Sequence, residues 1–214
     1  MSDAHGLIWT LVIPLKDLAR AKSRLAGAIG GYRSDLALAF AVDTATAALG
    51  CANVATIVVV TDDLDATAAL ESLGAIVIDD EPRAGLNPAV AHGASYARGL
   101  APHNAIAAIF ADLPALRTGE LERALAAAAR HPSAFLADAD GTGTTLYSAR
   151  PETPFTPRFG PGSRLRHLFT GAAELLLDVP SVRRDVDTID DLRAAVELGV
   201  GSRTAALLRA ARLA

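Results

Sequence analysis

The sequence predicts an α/β protein in which helices flank both faces of a largely parallel sheet. Short runs rich in valine and isoleucine alternate with alanine-rich amphipathic stretches, and four such strand-then-helix units follow one another. Val54–Val60 is nearly continuous valine, isoleucine and threonine, which is typical of a strand buried on both faces of a parallel sheet. Such a series predicts a doubly wound sheet with right-handed crossovers.

The four units occupy the chain as far as residue 130. Ser34 is a residue type favoured at helix N-caps, and Leu36 and Phe40 belong to an apolar stripe at helical spacing. The predicted strands are Ile8–Leu15, Val54–Val60, Ala75–Ile78 and Ala105–Phe110, and the predicted helices are Ser34–Leu49, Asp65–Leu73, Pro88–Arg98 and Gly119–Arg130.

The alternation stops after His131-Pro132. Two short strands, Ser133–Ala137 and Thr144–Ser148, surround Asp140-Gly141, a dipeptide that favours a tight hairpin. Arg150–Pro161 contains four prolines and no helical period, which indicates an ordered loop over the sheet or a lid. The predicted C-terminal elements are helix Arg164–Leu177, strand Arg183–Val186, and helices Thr188–Leu198 and Arg203–Leu213. Without a repeat or a low-complexity linker, residues 1–214 are expected to form a single domain.

Composition and charge exclude several classes of protein. Apolar residues make up 51% of the chain and the mean hydropathy is +0.29, which excludes a disordered chain. A single cysteine excludes a disulfide framework, and a net charge of −4 argues against a nucleic-acid partner. The longest apolar runs are strand-sized and the first residues lack the basic segment of a signal peptide, so we expect a cytoplasmic protein with no membrane partner.

Polar residues at the carboxyl ends of the predicted strands are the first functional candidates, because ligands bind there in open α/β sheets. Four cations follow the first strand, and their charge suits a triphosphate, although a solvated basic loop accounts for them equally well. They are Lys16, Arg20, Lys22 and Arg24. No Gly-x-x-x-x-Gly-Lys-Ser/Thr pattern is present, which excludes a P-loop.

Carboxylates form the second group of candidates. Asp112 follows the fourth strand, where it could hold Mg²⁺ beside phosphates or initiate a turn with Pro114. Asp185 and Asp187 would project to one face of a strand, so either could join Asp112 around a metal. Asp187 also suits the N-cap of the following helix, and Asp185 is therefore the preferred ligand.

Two glycine-containing segments form the third group. Gly141-Thr142-Gly143-Thr144 and Arg158–Ser163 have backbone N–H groups that can close on an anion, and Ser163 precedes a helix. The first segment also has the composition of a plain hairpin. The five histidines and Cys51 lack the spacing of zinc ligands, and no Gly-x-Ser-x-Gly elbow of a serine hydrolase is present.

Together these motifs resemble the guanylyltransferases of deazaflavin coenzyme F-420 biosynthesis, which act on 2-phospho-L-lactate in archaea and on phosphoenolpyruvate in bacteria. The resemblance extends from about Leu11 to Gly199. Its motifs are Val12-Ile13-Pro14-Leu15-Lys16, Ala21-Lys22-Ser23-Arg24-Leu25, Gly85-Leu86-Asn87, Asp112-Leu113-Pro114, Gly141-Thr142-Gly143-Thr144, Phe159-Gly160 and Asp185-Val186-Asp187-Thr188.

The resemblance implies a nucleotide-diphospho-sugar-transferase-like, Rossmann-like mixed sheet that uses GTP and Mg²⁺. It implies metal ligands at Asp112 and Asp185, and nucleotide contacts near Asp62, Gly85 and Asn87. The residues implied for the acceptor phosphate and carboxylate are Thr144, Gly160 and Ser163. Pro14 and Lys16 replace the Gly-rich loop of molybdenum-cofactor guanylyltransferases, which counts against that activity.

The expected reaction is attack of the acceptor phosphate on the α-phosphorus of GTP, with Lys16, Lys22 and Arg24 binding the departing diphosphate. The alanine-rich composition favours phosphoenolpyruvate as the acceptor, by association with bacteria of high GC content. 2-Phospho-L-lactate and 3-phosphoglycerate stay open, as do a sugar-nucleotide glycosyltransferase and an inactive nucleotide-binding module. The downstream F-420 transferase is the expected partner for product hand-over.

Overall fold

A seven-stranded mixed sheet organises the protein, in a computed structural model that describes residues 6–20, 22, 25 and 30–211. The strand order is β3-β2-β1-β4-β6-β5-β7. The strands are β1 (Trp9–Pro14), β2 (Val54–Val60), β3 (Ile76–Ile78), β4 (Ala105–Ile109), β5 (Ser133–Leu136), β6 (Leu146–Ala149) and β7 (Ala173–Glu174). Strands β1 to β4 are parallel to one another, and β6 runs antiparallel to both of its neighbours, β4 and β5.

The helices of the described residues follow the predicted alternation with the strands. They are α1 (Arg33–Leu49), α2 (Leu64–Glu71), α3 (Leu86–Leu100), α4 (Thr118–Ala128), α5 (Ser163–Phe169), α6 (Pro180–Arg183), α7 (Ile189–Leu198) and α8 (Ser202–Ala210). Short 3₁₀ turns lie at Leu18–Arg20 and Gly30–Tyr32. Within the described part of the chain, none of the helices has the length and the apolar composition that crossing a membrane requires.

Both faces of the central strands are buried, as the β-branched runs predict. Leu11 and Ile13 of β1 pack into a core with α1, α2 and α4, whereas Val12 packs on the opposite face beneath α3. The close approach of α3 depends on Gly93, where an added Cβ would lie 2.6 Å from Val12 Cγ1 and 2.7 Å from Val60 Cγ2. Helices therefore cover both faces, and the predicted doubly wound, mixed α/β architecture is confirmed.

The predicted hairpin is present, but its connection is longer than a tight turn. Strands β5 and β6 pair antiparallel, and the chain between them runs from Ala137 to Thr145. The Asp138 carboxylate accepts hydrogen bonds from the backbone N–H groups of Thr142 (2.9 Å) and Gly143 (2.7 Å). Asp138 thus organises a wide loop in which Asp140-Gly141 is only one part.

Two predicted elements near the C-terminus are wrong. The helix predicted over Arg164–Leu177 ends at Phe169, because Gly171 adopts φ +82° and the chain then joins β5 as strand β7. The strand predicted over Arg183–Val186 does not form; Pro180–Arg183 is helical instead. The buried Glu120 carboxylate holds this turn by accepting from the Ser181 backbone N–H and hydroxyl, both at 2.8 Å.

The predicted caps of two helices are also wrong. Helix α1 begins after Tyr32 without a side-chain cap, and the Ser34 hydroxyl donates to the Leu18 carbonyl at 3.4 Å instead. Helix α7 is capped by Thr188, whose hydroxyl accepts from the Asp191 N–H while the Asp191 carboxylate accepts from the Thr188 N–H. This reciprocal capping box leaves Asp187 outside the helix and free of the capping role that was predicted for it.

Candidate active site

A cleft of about 320 Å³ lies beyond the carboxyl ends of β1 and β4. The chain leaving β1 contributes Leu15 and Lys16, and the chain leaving β4 contributes Phe110 and Asp112. Lys22, Asp185 and Asp187 line the same cleft, together with Pro14, Ala37, Leu86 and Ala111. Lys16 and Lys22 of the basic segment therefore meet Asp112, Asp185 and Asp187 at one edge of the sheet.

Lys22 lies inside the acidic cluster. Its ammonium group forms ion pairs with the Asp112 carboxylate and, at 3.0 Å, with Asp187 Oδ1. Burial alone would lower the pKa of Lys22, but the two carboxylates outweigh burial and raise it above its ordinary value. Lys22 therefore stays charged and neutralises part of the cluster; its predicted contact with a diphosphate stays a prediction.

Asp112 and Asp185, the predicted metal ligands, both line the cleft, and so does Asp187, whose predicted capping role is not observed. The Val186 N–H donates to the Asp112 carbonyl at 3.1 Å, which joins the two acidic segments although no strand forms there. Burial and the like charges of Asp112 and Asp187 raise the pKa of Asp185 well above its ordinary value. A carboxylate under this repulsion is ionised most readily when a cation is bound beside it.

The donor set suits Mg²⁺. Asp112 Oδ1 is buried and makes no hydrogen bond to any described residue. Among the described residues, no group of three or more His, Cys, Asp or Glu side chains is arranged to hold a metal ion by itself. Mg²⁺ does not need such a cage, because it commonly binds through one or two carboxylates, substrate phosphates and water.

A second cleft continues from the first past Leu15 and Lys16, which line both. Asp62 and Gly85, two of the candidate nucleotide contacts, lie in this second cleft. Asp62 Oδ2 accepts from Arg83 Nε at 3.0 Å, and Asp62 Oδ1 accepts from the Asp80 N–H at 3.1 Å. The second cleft thus places a carboxylate and a guanidinium next to the exposed Lys16.

Asn87 anchors the proline-rich loop. Its Oδ1 accepts from the Phe159 N–H at 2.7 Å, and its Nδ2 donates to the Phe159 carbonyl at 3.1 Å. The Phe159 ring packs on Phe110, with ring centroids 5.0 Å apart. The loop is therefore ordered over the sheet and borders the acidic cleft, while direct contact between Asn87 and a nucleotide stays a prediction.

The three candidate acceptor residues lie together. The Ser163 hydroxyl donates to Thr144 Oγ1 at 3.0 Å, and the Ser163 N–H donates to the Gly160 carbonyl at 3.0 Å. Gly160 adopts φ +110°, in the region that favours glycine. The loop Arg158–Ser163 thus folds back onto the hairpin connection, as the motifs required.

Sequence reasoning missed His167, which completes this group. Its Nδ1 lies 3.0 Å from Thr144 Oγ1, and its ring is fully buried. Ser163 and His167 are four residues apart on α5, a spacing that places both on one face of a helix and could have revealed the pair. Arg24, the remaining candidate, lies outside the described residues.

Comparison with known protein sequences identifies relatives over most of the chain. A family model described as "Guanylyl transferase CofC like" matches residues 9–214. A phosphoenolpyruvate guanylyltransferase of Thermomonospora curvata is 60% identical over 202 residues, which cover 94% of this chain and 89% of that protein.

Solved structures share the fold at low sequence identity. A protein of Desulfovibrio desulfuricans G20, described as a candidate nucleotide-diphospho-sugar transferase, matches with a TM-score of 0.71, 15% identity and 96% of each chain covered. A protein of Mycobacterium tuberculosis H37Rv, in complex with manganese, matches with a TM-score of 0.50 and 19% identity, over 89% of this chain and 98% of that one. The predicted nucleotide-diphospho-sugar-transferase-like fold is confirmed.

Proposed function

The chain belongs to the family of CofC-like guanylyl transferases, and from that membership we propose that it transfers GMP from GTP to phosphoenolpyruvate. The products are enolpyruvyl-diphospho-guanosine and diphosphate, in the biosynthesis of coenzyme F-420. The structural observation that supports this activity is the acidic cleft, which is lined by Asp112, Asp185 and two lysines, and whose wall residue Phe110 packs on Phe159 of the proline-rich loop.

Phosphoenolpyruvate is the acceptor named for the relative that is 60% identical to this chain. That identity favours it over 2-phospho-L-lactate and 3-phosphoglycerate, which carry the same two charged groups on a different three-carbon frame. Thr144, Ser163 and Gly160 would bind one of these charged groups. Phe159 would border the other, since its ring packs on Phe110 at the wall of the acidic cleft.

Asp112 and Asp185 would hold Mg²⁺ in this cleft. Asp112 Oδ1, which has no hydrogen-bond partner among the described residues, and the mutual repulsion of the carboxylates both favour a bound cation. When bound there, a divalent ion would supply charge neutralisation to the reacting phosphates. The fold relative from M. tuberculosis that was solved with manganese is in keeping with a divalent metal.

The protein's own residues would act by positioning and by charge. An oxygen of the acceptor phosphate forms a bond to the α-phosphorus, and the bond from that phosphorus to the bridging oxygen breaks, so that diphosphate leaves with the electron pair. The acceptor phosphate is already ionised, so no side chain needs to remove a proton. Lys16, Lys22 and Arg24 would bind the diphosphate as its charge develops.

The second cleft would hold the guanosine. Asp62 and Gly85 line it, and the Asp62 carboxylate can accept hydrogen bonds from ribose hydroxyls or from the N–H groups of guanine. Asn87 would contribute to the nucleotide site indirectly, by holding the proline-rich loop in place through its hydrogen bond with the Phe159 backbone. Lys16, which lines both clefts, would contact the phosphates between the nucleoside and the acceptor.

The substrates of the proposed reaction indicate where the protein acts and which partners it has. We place the protein in the cytoplasm, where GTP and phosphoenolpyruvate are formed, as one nucleotidyltransferase domain over residues 1–214. The product is expected to pass to the downstream F-420 transferase. No nucleic acid or membrane partner is proposed.

The test is an assay of diphosphate release by the purified protein with GTP, Mg²⁺ and each of the three acceptors, first separately and then in competition. Mass spectrometry of the nucleotide products identifies the acceptor that receives GMP. We expect enolpyruvyl-diphospho-guanosine to dominate. Because this product can decay, a parallel reaction contains the downstream transferase that consumes it.

Asp112→Asn is the matched control, since it removes one charge at nearly constant volume. Diphosphate release that requires the acceptor and falls with Asp112→Asn supports the proposal. Release without any acceptor, or incorporation of GMP only into another phospho-acid, contradicts it.

A further inference from the structure

His167 joins three separate segments of the chain at the candidate acceptor site. Its Nε2 lies 2.9 Å from the backbone nitrogen of Arg158 in the proline-rich loop, and its Nδ1 lies 3.0 Å from Thr144 Oγ1 in the β5–β6 connection. His167 itself belongs to α5, which begins at Ser163. One buried ring therefore controls how the loop, the connection and the helix meet.

The hydrogen-bond partners determine the tautomer of this ring. A backbone N–H can only donate, so the Arg158 N–H makes Nε2 an acceptor and leaves it without a proton. In the neutral imidazole the proton then lies on Nδ1, from which it donates to Thr144 Oγ1.

The surroundings keep the ring neutral. His167 stacks on Tyr147 with centroids 4.7 Å apart and contacts the rings of Phe135 and Phe159, each at 5.4 Å. The charged groups that face it are the guanidinium groups of Arg158 and Arg166, and Tyr147 is the other titratable group against it. Burial, followed by the positive charges of Arg166 and Arg158, lowers the pKa of His167 to about 4.

This tautomer determines which hydrogen bonds the Thr144 hydroxyl makes. A threonine hydroxyl has two acceptor positions and one hydrogen. One position receives the Nδ1–H of His167 and the other receives the hydroxyl of Ser163. The hydrogen of Thr144 is then available to donate, and within the described part of the chain no acceptor pairs with it.

We propose that His167 is a positioning residue of the acceptor site, which fixes the Thr144 hydroxyl as a hydrogen-bond donor toward an anionic group of the acceptor. The inference rests on the proposed function, since it assigns Thr144 to the acceptor. A carboxylate or a phosphate oxygen can only accept, so a hydroxyl already oriented as a donor suits either group. The orientation is set before the acceptor binds, which reduces the entropy lost on binding.

Two conservative substitutions distinguish the roles of the two nitrogen atoms of the ring. In His167→Asn the side-chain amide can place an N–H near the position of Nδ1, which keeps the donor to Thr144. In His167→Gln the amide reaches the position of Nε2, which keeps an acceptor for the Arg158 N–H and loses the donor to Thr144. A residue that only filled space would not distinguish the two variants in this way.

Steady-state kinetics with GTP, Mg²⁺ and phosphoenolpyruvate measure the effect. We expect His167→Gln to raise the KM for phosphoenolpyruvate about tenfold, the scale of one lost hydrogen bond to a charged group, with the KM for GTP within about twofold of wild type. His167→Asn is expected to keep both constants within about threefold. His103→Asn, at an exposed histidine in the turn before β4, is the control for histidine loss.

A double-mutant cycle with Thr144→Val tests whether His167 acts through Thr144. If it does, adding His167→Gln to Thr144→Val raises the acceptor KM no further. Three results overturn the inference. They are multiplicative effects of the two substitutions on the acceptor KM, equal increases in the KM values for phosphoenolpyruvate and GTP, and a tenfold increase in the acceptor KM in His167→Asn. If His167→Gln does not fold, His167→Leu, which lacks both nitrogen atoms, takes its place: an acceptor KM about tenfold above that of His167→Asn supports the inference, and equal KM values in the two variants overturn it.

Failure of the inference and failure of the proposed function give different results. A wild-type protein that transfers GMP to phosphoenolpyruvate, combined with an unchanged acceptor KM in His167→Gln, contradicts only the role of His167. A wild-type protein that transfers no GMP to phosphoenolpyruvate contradicts the proposed function, and the inference with it.

Discussion

His167 also makes the stability of the protein depend on pH in a way that one substitution can isolate. The pKa of the folded-state ring is lowered from an ordinary 6.5 to about 4, by burial first and then by Arg166 and Arg158. Between these values the unfolded chain binds a proton that the folded chain does not. The ring's contribution to the free energy of unfolding is therefore complete above pH 6.5 and is lost as the pH falls toward 4.

The size of this loss follows from the two pKa values. Each pH unit in the window corresponds to about 1.4 kcal/mol, so the full shift amounts to about 3 kcal/mol. For comparison, a whole domain is stable by only about 5–15 kcal/mol. Protonation would also set a positive charge on Nε2 against the Arg158 N–H that it now accepts from.

Urea unfolding of wild type and His167→Gln, at several pH values from about 7.5 to 4.5, measures the effect. Other groups titrate in this range, but most of them are common to both proteins and cancel in the difference. We expect wild type to be the more stable at neutral pH and the difference to shrink by about 1.4 kcal/mol per unit below pH 6.5. A difference that stays constant over the whole range would refute the reasoning, because it would mean that the ring does not titrate differently in the two states.

Three further predictions concern the site and the core. Asp112→Asn and Asp185→Asn are each expected to lower turnover at least about 100-fold in the diphosphate assay, and a near-normal rate at limiting Mg²⁺ would remove that residue from the metal site. Ser163→Ala should raise the KM for the acceptor about tenfold and leave the KM for GTP unchanged. An equal increase in both KM values would show that Ser163 does not act on the acceptor alone. Gly93→Ala should destabilise the fold by about 1–3 kcal/mol in urea unfolding, because the added Cβ would lie 2.6 Å from a side-chain atom of β1, and an unchanged midpoint would contradict the close approach of α3.

Local sequence was sufficient to predict the strands of the central sheet. Val54–Val60 is a strand with the predicted bounds, and its second half, from Ile57 to Val60, is buried on both faces as the β-branched run predicts. The placement of Asp112 at the cleft followed in the same way, since the carboxyl end of a parallel strand adjoins the ligand site in this class of fold. The segment around Gly160 and Ser163, which the sequence predicts to bind an anion, contacts Thr144 through Ser163.

Elements whose shape depends on distant residues were beyond local reasoning. Ser181 lies in the helical turn Pro180–Arg183, next to the segment for which a strand was predicted. The buried Glu120 carboxylate, 61 residues away in the chain, stabilises this turn by accepting hydrogen bonds from the Ser181 N–H and hydroxyl. The cap of α7 is a different case, because Thr188 and Asp191 are only three residues apart and their reciprocal bonds are a local pattern that sequence reasoning missed.

The sequence by itself determined the class of fold, the order of the first four strands and their helices, and the charged residues that border the cleft, because these depend on short-range patterns of burial and on the geometry common to parallel sheets. Only the tertiary structure decided what those residues do to one another. Lys22 reaches Asp112, 90 residues away, and His167 reaches Thr144, 23 residues away. Ion pairs and tautomers depend on the positions of single atoms in the folded chain, which no local pattern encodes.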